Sequence, residues 1–453
     1  MIDLKDKHIV VAGAARSGIG AALLLKKKGA IPFVSDSGSI GQNAMDRLRN
    51  ESIRFEENQH SADALKGDFL VLSPGVPSTA SIVQHYIKEN RKVISEVELA
   101  SWFNKSDIVA VTGSNGKTTV VNWLAHTWDQ ANREYILAGN IGTAFSELVE
   151  HSTTTKTALL EISSFQLDHI ESFKPKMSVL LNITEDHLDR YQQDFSLYIH
   201  SKFKITQNQT ATDWFIYNFD DPIISAHASE LAKKSNAPKL LAFSSENEVP
   251  NGAFIRNGEL ILKLNNEEEH LMQIGEIGLS GKHNLQNGMA TALAARAAEI
   301  KNEFIRESLR SFEGVTHRLE LVREYKGVRY YNDSKATNVN AVWYALSSFN
   351  TPMVLILGGR DKGSDFKLLE HQIRDKVHTI VAIGEAKDKI KNELGKSVPN
   401  LIEATSMKDA VKKSKKVAKR GEIVLLSPAC SSFDMFENYE HRGNEFKQAV
   451  LDL

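Results

Sequence analysis

Short apolar runs that end in glycine- or serine-rich turns and lead into helical periodicity recur along this chain. "KHIVVAG" before "IGAALLLKKKG", "IVAVTGSNGKTT" before "VVNWLAHTW", and "MVLILGG" before a polar loop are three cases. A repeated strand–turn–helix pattern leaves few folds open. Helical crossovers make neighbouring strands parallel, and both faces of the sheet are then covered. The fold class expected is therefore α/β: a Rossmann-like N-terminal domain, a P-loop-type central domain and a Rossmann-like C-terminal domain. At 453 residues the chain exceeds one ordinary core and suits about three. The pattern restarts near Asp107 and again near "GVTHRLELV", which sets expected boundaries at 1–95, 96–314 and 315–453. Within the middle block, Asn257-Gly258 between alternating segments predicts a hairpin.

Charge excludes some functions. With 55 basic against 57 acidic residues, there is no electrostatic case for nucleic acid or an anionic membrane. A single cysteine, Cys430, rules out an internal disulfide and suits a reducing compartment. The first residues lack a basic segment followed by a long apolar run, so the expected location is the cytoplasm.

"TGSNGKTT" is the most informative loop. A buried strand running through Gly113, Ser114, Asn115 and Gly116 into a helix starting at Lys117, Thr118 and Thr119 gathers backbone N–H groups at a helix N-terminus. That geometry suits a phosphate. Lys117 adds charge for the β/γ-phosphates and Thr118 a hydroxyl for Mg²⁺. The spacing departs from the ordinary P-loop, whose first glycine would fall at 111, occupied by Val111. The plain alternative is a βα turn with a solvated lysine.

Other strand ends carry weaker signals. Glu161 closes "KTALLEIS", where an unpaired carboxylate is costly to bury; a metal and a structural partner are equally good readings. "NITEDHLDRY" presents Glu185, Asp186 and Asp189, acids that for the most part suit a helix N-terminus better than a metal, and His187, which beside two strand ends is a weak signal for a metal or phosphate contact. Lys202 shares a helical face with Phe195, Tyr198 and Ile199. Spacing alone favours snorkelling to solvent over a reactive neutral amine. Asn284 and Asn287 open a helix, where capping is the default role. In the last block, strand exits carry Asp333, Lys335 and Thr337, then Lys362, then Ser431 and Ser432, donors suited to carboxylates or phosphates. In the first block Gly13 and Gly18 fit G-x-G-x-x-G, but Ala15 replaces the middle glycine, a weak dinucleotide signal.

Together, "TGSNGKTT", "GNIG", "EISSFQL", "NITEDHLDRY", "SGKHNLQN" and "THRLE" resemble the motifs of the Mur ligases of peptidoglycan synthesis, along essentially the whole chain. "NDSKATN", "LGGRDKGSDF" and "LLSPACSSFDMFENYEHRGNEF" are similar to the D-glutamate-adding branch. The short glycine spacing is then a family variant. The resemblance implies an ATP-dependent amide ligase that joins D-glutamate to UDP-MurNAc-L-Ala through an acyl phosphate. It implies ATP and two Mg²⁺ ions as cofactors, and a monomer.

Residue by residue, the resemblance implies that Lys117, His187, Lys202 and Lys335 are catalytic. Gly113, Ser114, Asn115, Gly116, Lys117, Thr118, Thr119, Asn284, Asn287, His317, Arg318 and Asp333 are expected at ATP. Thr118, Glu161, His187 and Lys202, the last as a carbamate, are expected at metal. That role for Lys202 reverses the snorkelling preference. Arg16, Ser17, Asp36, Ser73, Asn140 and Ser163 are expected at the UDP-substrate, and Thr337, Lys362, Ser432 and Phe433 at D-glutamate. Arg16 stands where an apolar residue is common, and Tyr439 where some relatives have phenylalanine. Three other readings compete: a folate-type ligase of the same superfamily, a nucleotide-binding protein without turnover, and a nicotinamide oxidoreductase. A complete first domain and intact Lys117, Glu161, His187 and Lys202 weigh against the first two.

Overall fold

The computed structural model describes residues 3–265 and 267–453. Three sheets are built in chain order. The first has β1 (His8–Ala12), β2 (Ile31–Ser35), β3 (Arg54–Glu56), β4 (Phe69–Leu72) and β5 (Val93–Ser95) in the order β3-β2-β1-β4-β5. Every pairing in it is parallel. The second has β6 (Asp107–Thr112), β7 (Tyr135–Gly139), β8 (Thr157–Glu161), β9 (Met177–Leu180), β10 (Trp214–Asn218), β11 (Lys239–Ser244), β12 (Gly252–Arg256), β13 (Glu259–Leu264) and β14 (Glu267–Gln273). Its order is β14-β13-β12-β11-β10-β9-β6-β8-β7. The third has β15 (Glu320–Tyr325), β16 (Val328–Asn332), β17 (Met353–Gly358), β18 (Val377–Ile383), β19 (Asn400–Glu403) and β20 (Ile423–Leu426), ordered β15-β16-β20-β17-β18-β19.

The strand sequences explain these positions. "DIVAVT" is apolar on both faces, and β6 is central, paired with β8 and β9, as expected of a parallel strand covered on both sides. Val111 is fully buried within it, in register with Glu161 and Val179. Position 111 is thus strand interior, and the turn begins two residues later. The segment around Asn257-Gly258 folds as the expected antiparallel hairpin, with Arg256 opposite Glu259. Both turn residues have positive φ, 53° and 77°, the geometry of a type I′ turn.

Chain contacts divide the protein into two compact units: Met1–Ile277 with Gln286–Ser311, and Gly278–Leu285 with Phe312–Leu453. In the first, one apolar cluster runs through Val11, Ile19, Leu25 and Val71, then Ile94, Val97 and Leu99, to Ala110, Leu160 and Phe173. The core of the first sheet is therefore continuous with one face of the second. The linking helix Glu96–Ser101 carries Glu98, whose carboxylate accepts bonds from the backbone N–H groups of Glu171 (3.0 Å), Ser172 (2.9 Å) and Phe173 (2.8 Å). The Trp102 indole N–H (2.8 Å) and the Ser172 hydroxyl also donate to it. On the other face, the helix Lys117–Gln130 buries Trp123 and Trp128 completely. The Trp123 indole donates to the Ser308 carbonyl (3.2 Å), joining that helix to Asn302–Ser311. No helix among the described residues is long and apolar enough to cross a membrane.

Candidate active site

In the first unit the strand order reverses around β6, with β8 on one side and β9 on the other. Ligands of open α/β sheets bind beyond strand carboxyl ends at such a point. β6 leaves through Gly113-Ser114-Asn115-Gly116 into the helix Lys117–Gln130, whose positive end faces the loop. Gly116 has φ +88°, and a Cβ there would stand 2.6 Å from Asn287 Oδ1 and 3.0 Å from Leu181 Cδ1. Gly116→Ala therefore meets both backbone strain and a clash. We expect nucleotide binding about ten-fold weaker or worse, measured by titration with a non-hydrolysable ATP analogue.

Asn182 fixes the loop's shape. Its Oδ1 accepts the Asn115 N–H (2.8 Å), its Nδ2 donates to the Asn115 carbonyl (3.1 Å), and its own carbonyl accepts the Ser114 N–H (2.9 Å). The Ser114 hydroxyl donates to the Thr184 carbonyl (2.8 Å) and lies 2.9 Å from the Tyr198 hydroxyl. The amides of Ser114 and Asn115 thus brace the loop. Asn182 was not singled out in the sequence, although it stands inside "NITEDH".

Two lysines converge on one carbonyl. Lys117 Nζ donates to the carbonyls of Gly113 (2.6 Å) and Ser114 (2.8 Å), and Lys202 Nζ donates to Gly113 (2.9 Å). Lys202 is 1% exposed, so the snorkelling reading does not hold: its helix, Phe195–Phe203, turns that face inward. Its Nζ lies 4.7 Å from the Tyr198 ring centroid. Burial pushes the Lys202 pKa well below the usual lysine value, and the Lys117 charge acts in the same direction. Asp186, Asp168 and Glu161 oppose both. The net shift is toward the neutral amine.

Beside them, the Thr118 hydroxyl donates to Glu161 Oε2 (2.6 Å) and the Asn140 amide to Glu161 Oε1 (3.1 Å). Glu161 is 2% exposed. A carboxylate and a hydroxyl in contact at a strand exit form a hard-oxygen donor pair suited to Mg²⁺. His187 lies on an exposed turn with φ +54°. Its Nε2 is 3.8 Å from Asp186 Oδ2, and its ring meets Phe165 edge-on at 5.7 Å. Asp186 accepts the His187 N–H (3.0 Å) just before the helical turn Leu188–Tyr191, in keeping with an acid at a helix N-terminus, and its charge also bears on Lys202 and Tyr198. Ser163, at the N-terminus of Ser164–Leu167, turns its N–H (2.9 Å) and hydroxyl (2.8 Å) to Gln166 Oε1. Among the described residues no three His, Cys, Asp or Glu side chains group as a metal cluster.

At the first sheet, Arg16, Ser17, Asp36 and Ser73 lie at the carboxyl ends of β1, β2 and β4. Arg16 is exposed, whereas Ser17 and Ser73 are buried. Asp36 accepts the N–H groups of Ala14 (2.6 Å) and Gly38 (2.8 Å), tying the Gly13 turn to the β2 exit.

In the second unit, β16, β20 and β17 are neighbours, so the loops bearing Thr337, Ser432 and Lys362 leave adjacent strand ends. Thr337 is half-buried, Ser432 buried, and Lys362 and Phe433 exposed. Asp333 accepts the Ser427 hydroxyl (2.7 Å) and the Leu319 N–H (3.2 Å), and burial pushes its pKa up to about 7. His317, in a left-handed conformation (φ +65°), lies with Nδ1 2.9 Å from Asn332 Nδ2. Burial lowers its pKa. Arg318 is half-buried beside it. Lys335 Nζ lies 5.2 Å from the Tyr439 ring centroid, and the same ring meets His317 edge-on. Both contacts use the ring, which a phenylalanine also offers. Asn284 lies inside the helix Lys282–Ala297 and donates to the Ser280 carbonyl (2.8 Å), a bond back along the chain in place of the expected cap.

Arg442 is the residue the sequence reading left without a role here. Almost fully buried, it donates to the Ser334 hydroxyl (2.9 Å), the Ser334 carbonyl (2.7 Å) and the Cys430 carbonyl (3.0 Å). It thereby locks the β16 and β20 exits together. Its place in "EHRGNEF" was the only signal.

A glycine-containing strand-to-helix loop, two lysines and a buried carboxylate–hydroxyl pair define a nucleotide-binding α/β protein equipped for phosphoryl chemistry. Family models match at residues 111–295 (Mur ligase middle domain), 317–430 (Mur ligase, glutamate ligase domain) and 12–82 (MurD N-terminal domain). Curated relatives from Salinibacter ruber and Chloroherpeton thalassium, both named UDP-N-acetylmuramoylalanine--D-glutamate ligase, are 46% and 44% identical. Each alignment covers 100% of this chain and 99% of the relative. Among solved structures, UDP-N-acetylmuramate-alanine ligase from Thermotoga maritima aligns with a TM-score of 0.61 at 16% identity, over 98% of this chain and 99% of that one. A pseudomurein peptide ligase type C from Methanothermus fervidus gives 0.60 at 17%, over 99% and 100%. These two share the fold. The chain belongs to the Mur ligase family.

Proposed function

We propose that this chain is the ligase that joins D-glutamate to UDP-MurNAc-L-Ala at the expense of ATP. The observation that carries the chemistry is the convergence of Lys117 and buried Lys202 on the Gly113 carbonyl beside the Thr118–Glu161 pair. The name shared by its full-length relatives supports D-glutamate as the amino acid. The alanine carboxylate attacks the γ-phosphorus, the bond to the β-bridging oxygen breaks, and ADP leaves an acyl phosphate. The D-glutamate amine then attacks the acyl carbon, loses a proton, and phosphate departs as the amide forms.

Two anions have to meet, so cationic groups dominate the barrier. Lys117 and the helix N-terminus at Gly116–Thr119 hold the transferred phosphoryl group. Thr118 and Glu161 would hold one Mg²⁺, which neutralises phosphate charge when bound. Lys202 as a neutral amine adds CO₂: its lone pair forms the N–C bond and a proton leaves, giving a carbamate. That anion, with His187, would hold a second Mg²⁺.

Arg16, Ser17, Asp36, Ser73, Asn140 and Ser163 are assigned to the UDP-substrate. Asn284, Asn287, His317, Arg318 and Asp333 are assigned to the nucleotide. In the second unit Thr337, Lys362, Ser432 and Phe433 are assigned to D-glutamate, with Lys335 near the reacting groups. We place the reaction in the cytoplasm, in keeping with the lone buried cysteine, and take the working form to be a monomer.

The test is phosphate release with ATP, Mg²⁺ and UDP-MurNAc-L-Ala against D-glutamate, L-glutamate, L-alanine, L-lysine and meso-diaminopimelate. Release is expected with D-glutamate alone. Release with another amino acid would overturn the branch, and no release with any would overturn the ligase reading.

A further inference from the structure

Arg190 is a cation with no role in the chemistry above, yet its side chain reaches across the first unit. It lies in the short helical turn Leu188–Tyr191, directly after His187. Nη1 donates to the Pro74 carbonyl (2.7 Å) and Nη2 to the Gly75 carbonyl (3.0 Å). Both carbonyls belong to the loop leaving β4, next to Ser73. The guanidinium also lies over the Phe165 ring, 4.5 Å from its centroid, and that ring meets His187 edge-on.

The loop it holds is tightly set. The Val76 N–H donates to the Ser73 carbonyl (3.0 Å), and the Ser73 N–H donates to the Ala12 carbonyl (3.0 Å). A Cβ on Gly13 would stand 2.9 Å from Ser73 Cβ, so the β4 exit and the Gly13 turn touch with no slack. A planar fork on two successive carbonyls, stacked on an aromatic ring, is geometry that arginine supplies and lysine does not. With one end on the β4 exit and the other on the turn bearing His187, Arg190 sets the distance between the two.

We infer that Arg190 is a positioning residue for the uridine-nucleotide substrate: it latches the Pro74–Gly75 backbone to the His187 turn, so that Ser73 meets the substrate in one place relative to the phosphate-binding loop. This rests on the functional reading above for the identity of the substrate.

The test uses the full chain and separates binding of the two nucleotides. Arg190→Ala is expected to raise the KM for UDP-MurNAc-L-Ala about ten-fold or more, from the loss of two charge-assisted bonds. The KM for ATP should stay within about two-fold. Arg190→Lys, which keeps the charge without the fork, should fall between, and it carries the test if Arg190→Ala does not fold. A double-mutant cycle closes the argument: Ser73→Ala should cost clearly less in the Arg190→Ala background than in wild type, because the loop is already displaced. Additive costs, or equal rises in both KM values, would overturn the inference. Direct titration of the wild-type protein with UDP-MurNAc-L-Ala keeps the two claims apart. If wild type does not bind it, the substrate reading fails; if it binds and the Arg190 variants bind equally well, only the latch fails.

Discussion

Replacing Lys202 by alanine should lower turnover by about a thousand-fold, the scale of losing a preorganised charge at a developing phosphoryl transition state. The side chain is buried, bonded to Gly113 and set over Tyr198, so its removal takes away the amine and any carbamate built on it. Formate or acetate at high concentration should restore part of the activity by returning a carboxylate to the space. Added CO₂ should leave the variant unchanged, because no amine remains to trap it. Phosphate release with and without the acids, on protein whose melting is unaltered, reads this directly. Wild-type turnover without additives would remove Lys202 from the mechanism.

The second large effect is on stability. Glu98→Ala should destabilise the protein by about 3 kcal/mol, because three backbone N–H groups and the Trp102 indole lose a buried acceptor together. The pH dependence follows from the same contacts. Burial alone pushes the carboxyl upward, but the donors of Ser172, Glu171 and Trp102 outweigh it and hold the pKa below the ordinary 4.5. A lowered acid contributes stability that is fully present above the unfolded value and is lost as pH falls through the folded one. Urea melts should therefore show a large gap between wild type and Glu98→Ala at pH 7 and a smaller one below about pH 4. An equal gap at both would show that packing of the linking helix, and not the ionised carboxylate, matters there.

Much of the architecture was legible because it rests on local pattern. β6, β8, β17 and β20 are apolar runs followed by turn residues, and each forms where the pattern placed it. The Asn257-Gly258 hairpin follows from the left-handed conformation that both residues tolerate. Less legible were the groups whose meaning depends on neighbours distant in the chain. Lys202 read by spacing as a surface lysine, because periodicity gives a face but not what covers it. Asn284 read as a cap, although it lies inside its helix and bonds back to Ser280. Arg442 and Arg190 had no spacing signal at all, since each reaches backbone carbonyls that any residue provides.

By itself, the sequence determined the strand–turn–helix repeat, the place of the Gly113–Gly116 turn and the family motifs, because these depend on residues close together in the chain. Tertiary structure alone decided that Lys117 and Lys202 share one carbonyl, that Asn182 braces the Gly113–Gly116 turn, and that Arg190 joins the β4 exit to the His187 turn. The physical reason is range. Backbone preference and apolar periodicity act over a few residues, whereas charge, burial and hydrogen bonding depend on what the fold brings within a few ångströms.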